Sequence, residues 1–452
     1  MGELSSVFTL HGYCQSLLRR DKKIRDGLSK NFRCHPGLCH LVPQDWIFLR
    51  GMPVPAFVQL RRTLDCKDEH RDFCLGRGNY YDAIDFDDSV YRALTKMTAD
   101  KTLIPNYELV LIDEFQDFNR METSIVDLLS EKNPVVIAGD DDQALYSQLR
   151  SASWDHIRER YESGHYEVFE LPFCMRCPEA IVGAVNDVIK KAQDGKNLNG
   201  RIPKPYRYFE PIKGVDSARY PKIDLVETTV QRNNANYFGR YIEKCIKEIS
   251  VEDVKSAAEN NEPVALVIGS NPYRRSVEEH LIKVGLIKQA SEDELSERQK
   301  ALQILNQDPG SNLGWRIILA VGNQDNARAK IRDADQKHCN LVDVIPSEQR
   351  EAVLAEAKTW AAAHKEVDFG EERQQPVQNI AITSYEGSKG RSAQYVFLIG
   401  VHSGEIPRRA DNIEDIEICR FLVGLTRTKK KCSILRAGNA RACARARELV
   451  SI

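Results

Sequence analysis

Carboxylates crowd the ends of two apolar runs. Leu109-Val110-Leu111-Ile112 leads into Asp113-Glu114-Phe115-Gln116-Asp117, and about twenty residues on, Pro134-Val135-Val136-Ile137-Ala138 leads into Gly139-Asp140-Asp141-Asp142-Gln143. An aspartate at a strand end can hold Mg²⁺ through its water shell, and an adjacent glutamate can orient and deprotonate a water. Asp113 and Glu114 have those places. Glutamine both donates and accepts, so Gln143 can bridge a terminal phosphate and an attacking water. The chemistry suited to such residues is nucleoside triphosphate hydrolysis. One acidic turn alone would read as a solvated turn or a helix cap, and Asp117 can cap the helix suggested by Met121, Ile125, Leu128 and Leu129. Two in tandem favour one polar site.

The elements that would position these groups are strands. An unbroken apolar run reads as a strand buried on both faces of a parallel sheet, and ligands gather at the carboxyl ends of such strands. Between 101 and 165 the two runs alternate with helical patterns, which predicts a parallel α/β sheet.

Asp-Glu-Phe-Gln-Asp followed by Gly-Asp-Asp-Asp-Gln-Ala-Leu-Tyr resembles the Walker B motif and the following motif of UvrD/Rep-like superfamily-one DNA helicases. Further segments follow in the family's order, so the resemblance covers nearly the whole chain. Val7 to Arg20 resembles the Thr-x-His-Gly segment beside single-stranded DNA, with Thr9 and His11 at the matching positions. From the residues alone, capping of a helix is an equal reading. Tyr146 stands where the family places an aromatic against DNA bases, but Ser147-Gln148-Leu149-Arg150 replaces the usual Gly-Trp-Arg-Gly and removes one stacking platform. Cys174-Met175-Arg176 matches Asn-Tyr-Arg, whose arginine reaches the γ-phosphate; a thioether at Met175 can still cover a base. Ser384 to Gly390 resembles Thr-x-His-x-x-Lys-Gly, so Lys389 and Gly390 are carried over to the nucleotide site. Glu386 replaces the histidine, and Ser392 stands where a glutamate usually binds the ribose. Val423-Gly424-Leu425-Thr426-Arg427 resembles Val-Ala-Leu-Thr-Arg, which makes Arg427 an arginine finger. In isolation it reads as a basic surface position near a helix end.

The resemblance implies two RecA-like domains of P-loop-NTPase type, α/β with parallel sheets and helical insertions. These are 1–165 (insertion about 21–100) and 166–452 (insertion about 288–375). It implies ATP and Mg²⁺ as cofactors, Asp113 being the metal residue, and single-stranded or 3′-tailed duplex DNA as partner. The implied activity is 3′-to-5′ helicase or translocase motion, of the kind used in DNA repair, plasmid replication and phage defence.

Composition agrees with an ordinary soluble protein: 452 residues, 29% charged, 42% hydrophobic, net charge −2. No apolar run nears the roughly eighteen residues of a membrane span, and no signal-peptide core opens the chain, so a cytoplasmic protein is expected. Near-neutral charge leaves DNA contact to local grooves such as Arg19-Arg20, Arg408-Arg409 or Lys429-Lys430-Lys431, each of which alone reads as a solvated face. Among twelve cysteines, Cys174-x-x-Cys177 has zinc-ligand spacing without a second pair, and Cys34, His35, Cys39, His40, Cys66, His70 and Cys74 fit no standard module. Reduced thiols are expected.

A glycine-rich loop ending Gly-Lys-Thr/Ser does not occur within the 452 residues; the nearest string is Asp194-Gly195-Lys196-Asn197. The family places that loop before Thr-x-His-Gly. The expectation is therefore a first domain incomplete at its front, with interior strand edges unpaired and the chain inactive alone. The alternative is a non-hydrolysing pseudo-motor serving as a DNA-binding or scaffold subunit.

Overall fold

Where apolar runs alternate with amphipathic helices, parallel strands form. The computed structural model describes residues 6–51, 53–146, 150–228, 236–288, 295–364 and 379–437. Ser147 to Leu149 and the end of the expected second insertion beyond 364 lie outside them. Eleven strands occur there: β1 (Arg33–Cys34), β2 (Ala83–Ile84), β3 (Val110–Ile112), β4 (Val135–Ile137), β5 (Phe173–Cys174), β6 (Arg207–Tyr208), β7 (Asp224–Thr228), β8 (Ala265–Gly269), β9 (Ile380–Thr383), β10 (Ala393–Ile399) and β11 (Thr428–Ala437).

The last five make one parallel sheet in the order β7-β11-β10-β8-β9. β8 is buried along its whole length because helices cover both faces. On one face Val185 and Val188 of the helix Glu179–Asp194 and Leu422 of the helix Asp415–Thr426 meet Leu266 and Leu398. On the other, Phe238 and Val277 meet Val267 and Phe397.

β3 and β4 pair in parallel, with Leu111 opposite Val136. The expectation that both are buried on two faces is overturned. Leu111 is 70% and Val136 53% exposed, because no described residue packs on the side to which this cross-strand pair points. Val110 faces the other way, onto a core of Leu18, Leu94, Met97, Ile125 and Leu129 from the helices Leu10–Arg20, Phe86–Ala99 and Arg120–Ser130. Thr9 caps the helix Leu10–Arg20, its hydroxyl accepting the Gly12 N–H at 3.1 Å.

The helices of the two expected insertions share an apolar core, in which Leu41, Trp46 and Phe57 pack with Leu305, Trp315 and Ile318. At its centre the fully buried Asp45 accepts from Arg77 Nε and Arg316 Nε at 2.8 Å each, and from the Tyr81 hydroxyl at 2.5 Å. No helix of the described residues is long and apolar enough to cross a membrane.

Candidate functional site

The site lies between the acidic turns after β3 and β4 and the loops flanking β10 and β11. Glu114 follows β3 in a left-handed conformation (φ 54°), which lets the chain turn sharply and leaves Asp113 and Glu114 exposed at the strand end. Asp113 Oδ1 accepts the Glu114 N–H at 2.9 Å, and Glu114 Oε2 accepts from Gln116 Nε2 at 2.6 Å. Gln116 is fully buried; its Oε1 takes the Asp140 N–H at 3.0 Å and so ties the two acidic turns together. Gly139 is required for this approach, since a Cβ there would lie 2.7 Å from Gln116 Oε1 and 2.6 Å from Ile157 Cδ1.

Three side chains bind these turns to the second sheet. Arg427 Nη2 donates to Gln143 Oε1 at 2.9 Å while Gln143 Nε2 donates to Asp140 Oδ2 at 2.7 Å. Lys389 Nζ reaches Asp117 Oδ2 at 2.5 Å, the Gln143 carbonyl at 2.9 Å and Glu114 Oε2 at 3.2 Å. The Tyr146 hydroxyl donates to the Glu386 carbonyl at 3.0 Å. Arg176 is exposed, and its Nη1 donates to the Thr426 carbonyl at 3.2 Å, beside Arg427. Burial, and then the neighbouring Arg176 charge, pull the Arg427 guanidinium down to about 10, so it stays cationic at neutral pH. Desolvation outweighs the Lys389 charge at Asp117 and raises its carboxyl.

Of the residues singled out in sequence, Asp113, Glu114, Gln143, Tyr146, Arg176, Lys389 and Arg427 are thus brought to one cleft. Gly390 follows Lys389 with φ 74° and sets the loop's course. Thr9 and His11 stand apart from the carboxylates: His11 packs edge-on against Phe86, with Glu122 at 3.6 Å. Burial, then the Arg150 charge, lower its pKa, and Arg150 in turn lies over Tyr146. Asp117 does not cap the next helix. Asn119 does, in a capping box with Glu122, and Asp117 is freed to bind Lys389.

Some partners were not legible. Lys204 pairs with Asp140, Asp141 and Asp142, Arg201 with Asp142 and Arg158 with Asp141, so the acidic run is neutralised by the stretch from Arg201 to Lys204 and by the helix Asp155–Glu162. Those three aspartates are the only His, Cys, Asp or Glu group gathered closely enough for a metal among the described residues; the Cys/His set between Cys34 and Cys74 does not converge. The Lys429-Lys430-Lys431 run is paired in order with Glu262, Asp253 and Asp224. Ser392 donates to Glu262 Oε1 at 2.8 Å, and Arg420 holds Glu386 at 2.8 Å. Gly195-Lys196 closes the helix Glu179–Asp194 and follows no strand.

Residues 65–163 match the model of the UvrD/REP helicase N-terminal domain. DNA helicase II of Haemophilus influenzae is 24% identical over 419 residues, covering 74% of this chain and 56% of its own length. The ATP-dependent DNA helicase PcrA of Staphylococcus aureus is 25% identical over 332 residues (64% of this chain, 44% of its own). PcrA of Leuconostoc citreum is 24% identical over 212 residues, with shares of 45% and 25%. The chain is UvrD/Rep-like in sequence, and it spans about half the length of the first two of these relatives.

Proposed function

We propose that this chain forms the motor of a cytoplasmic ATP-dependent DNA helicase that moves 3′ to 5′ on single-stranded or 3′-tailed DNA. In this reading 1–165 and 166–452 are its two RecA-like domains. The observation that carries the proposal is the bond from Arg427 to Gln143, which joins a cation of one sheet to the acidic turns of the other. A terminal phosphate held in that cleft would meet Gln143, Arg176 and Arg427 together.

The exposed Asp113 carboxylate at a strand end suits a hydrated Mg²⁺, which when bound would neutralise phosphate charge. Glu114 orients and deprotonates the attacking water, and it must first give up its contact with Lys389. Lys389, once free of Asp117 and Glu114, can turn its ammonium to the nucleotide. Thr9, His11 and Tyr146 are the DNA-contacting residues in this reading, His11 and Tyr146 having Arg150 as a common neighbour.

The Gly-Lys-Thr/Ser loop that would cradle the phosphates does not occur within these 452 residues, so little turnover is expected from them alone. The test is ATP hydrolysis with and without single-stranded DNA, for the chain alone and with a phosphate-loop segment fused ahead of it. DNA-stimulated turnover of the fused protein that vanishes in Glu114→Gln supports the motor. In the same assay Arg176→Ala should lose about 10³-fold. Turnover by the unfused chain that Glu114→Gln abolishes would mean that the phosphates are held otherwise. The Ser392–Glu262 bond, which uses the one side-chain donor of a residue standing in place of the ribose-binding glutamate, favours a second reading as a non-hydrolysing DNA-binding or scaffold subunit. Absence of turnover in both proteins would select it.

A further inference from the structure

Cys174 ends β5, and Cys177 precedes Pro178, the N-cap of the helix Glu179–Asp194. The Tyr206 hydroxyl donates to the Cys174 sulfur at 3.1 Å and lies 4.0 Å from the Cys177 sulfur, so one phenol is flanked by both. The Cys177 S–H donates to the Thr426 carbonyl at 3.5 Å. The phenol donor on the Cys174 sulfur stabilises its anion. Cys177 itself is fully buried, whereas Cys174 is only half-buried and can meet a small reagent.

We propose that Cys174 and Cys177 are a reversible dithiol–disulfide site, in which Cys174 is the peroxide-reactive thiolate and Cys177 the resolving thiol. The Cys174 thiolate attacks one oxygen of hydrogen peroxide. The O–O bond breaks, giving a Cys174 sulfenic acid and hydroxide, which takes up a proton to become water. The Cys177 sulfur then attacks the Cys174 sulfur, forming the S–S bond, and the sulfenic oxygen leaves as water with the Cys177 proton. Two electrons pass from the two sulfurs to the peroxide.

The electrostatics fit this division of labour. The neighbouring Cys177 thiol, opposed by burial and aided by Tyr206, brings the Cys174 thiol down to about 5, while the neighbouring Cys174 and its own burial push Cys177 up. Elsewhere burial pushes Cys74 and Cys432 up to about 12, which makes them unreactive internal controls. Two sulfurs and a phenol are not a zinc set. The pair brackets Arg176, and Cys177 Sγ lies 3.5 Å from the Thr426 carbonyl that Arg176 also holds at 3.2 Å. Disulfide formation removes the Cys177 S–H from that carbonyl and re-sets the turn carrying Arg176. That last consequence rests on the proposed function; the thiol chemistry does not.

The experiment treats the full chain with hydrogen peroxide near neutral pH and maps the peptides without reduction. The expected product is a Cys174–Cys177 disulfide, formed at least about tenfold faster than any other cysteine reacts and reversed by dithiothreitol. In Cys177→Ser, a cyclic 1,3-diketone should trap a sulfenic acid at Cys174; in Cys174→Ser it should trap none at Cys177. Iodoacetamide labelling of Cys174 against pH should show a midpoint well below an ordinary thiol's, moving up in Tyr206→Phe. Oxidation spread evenly over the cysteines, or a Cys174 midpoint near 8.5, overturns the proposal. The unsubstituted protein's peptide map decides even where a variant does not fold, and none of these readings depends on ATP turnover.

Discussion

Lys389 donates to Asp117 Oδ2 at 2.5 Å, and the two side chains are only 6% and 12% exposed. Desolvation raises the Asp117 carboxyl in spite of this partner, so the pair does not recover the full cost of its own burial. Removing Lys389 strands the desolvated Asp117 carboxylate, and removing Asp117 leaves the buried Lys389 only its longer carboxylate contact, with the exposed Glu114. Lys389→Met or Asp117→Leu is therefore expected to cost about 3 kcal/mol each. The double variant should stay within about 1 kcal/mol of the parent, a coupling well above that of independent sites. Urea denaturation of the four proteins measures it. Additive losses would mean that the two residues do not act as a pair.

The carboxylates at the ends of β3 and β4, and the later arginines and lysine, were legible because each sits in a short run of fixed local geometry. In the five-stranded sheet, β8 and the Tyr395 to Ile399 part of β10 are likewise continuous apolar runs. What was not legible is long-range. Nothing local to Asp141 shows that Arg158, Lys204 and the Ile202 N–H converge on its carboxylate. Asp117 reads as a cap because an aspartate before a helix usually is one, and only the position of Lys389, 272 residues away, gives it another partner. Burial of Leu111 was misread for a related reason. An apolar run states that a strand can be covered, not that these residues cover it.

Asp45 is a second place where distant charges meet. It holds Arg77 and Arg316 at 2.8 Å each, and Asp45 and Arg316 are both fully buried, so one carboxylate serves two guanidiniums from the two insertions. Asp45→Ala leaves both cations without their counter-ion, and a loss of about 3–5 kcal/mol is expected. Glu356→Ala breaks a pair with Arg298 that is roughly half exposed at each end, and should change stability by less than about 1 kcal/mol. Chemical denaturation compares the two. Equal effects would show that the shared helical core does not depend on its buried charge cluster.

Acid should loosen this fold before its carboxylates titrate. Burial lowers the pKa of His11, His35 and His156 below 6.5, with the Arg150 charge adding to the effect at His11 and Glu297 and Glu159 opposing it at the other two. Each imidazole binds a proton less readily folded than unfolded. Its stabilising contribution is therefore complete above the unfolded pKa and is lost as pH falls through the folded one. Between about pH 7.5 and 5.5 the melting temperature should fall, each histidine contributing at most about 1.4 kcal/mol per pH unit to the slope. The raised carboxyls of Asp117 and Glu122 have the opposite sign and act nearer their own range, so the histidine effect dominates the upper part of the window. His11→Asn keeps a polar group beside Glu122 and should flatten the slope without abolishing it. A melting temperature that rises on acidification across this window would show that the three imidazoles are not held neutral by burial.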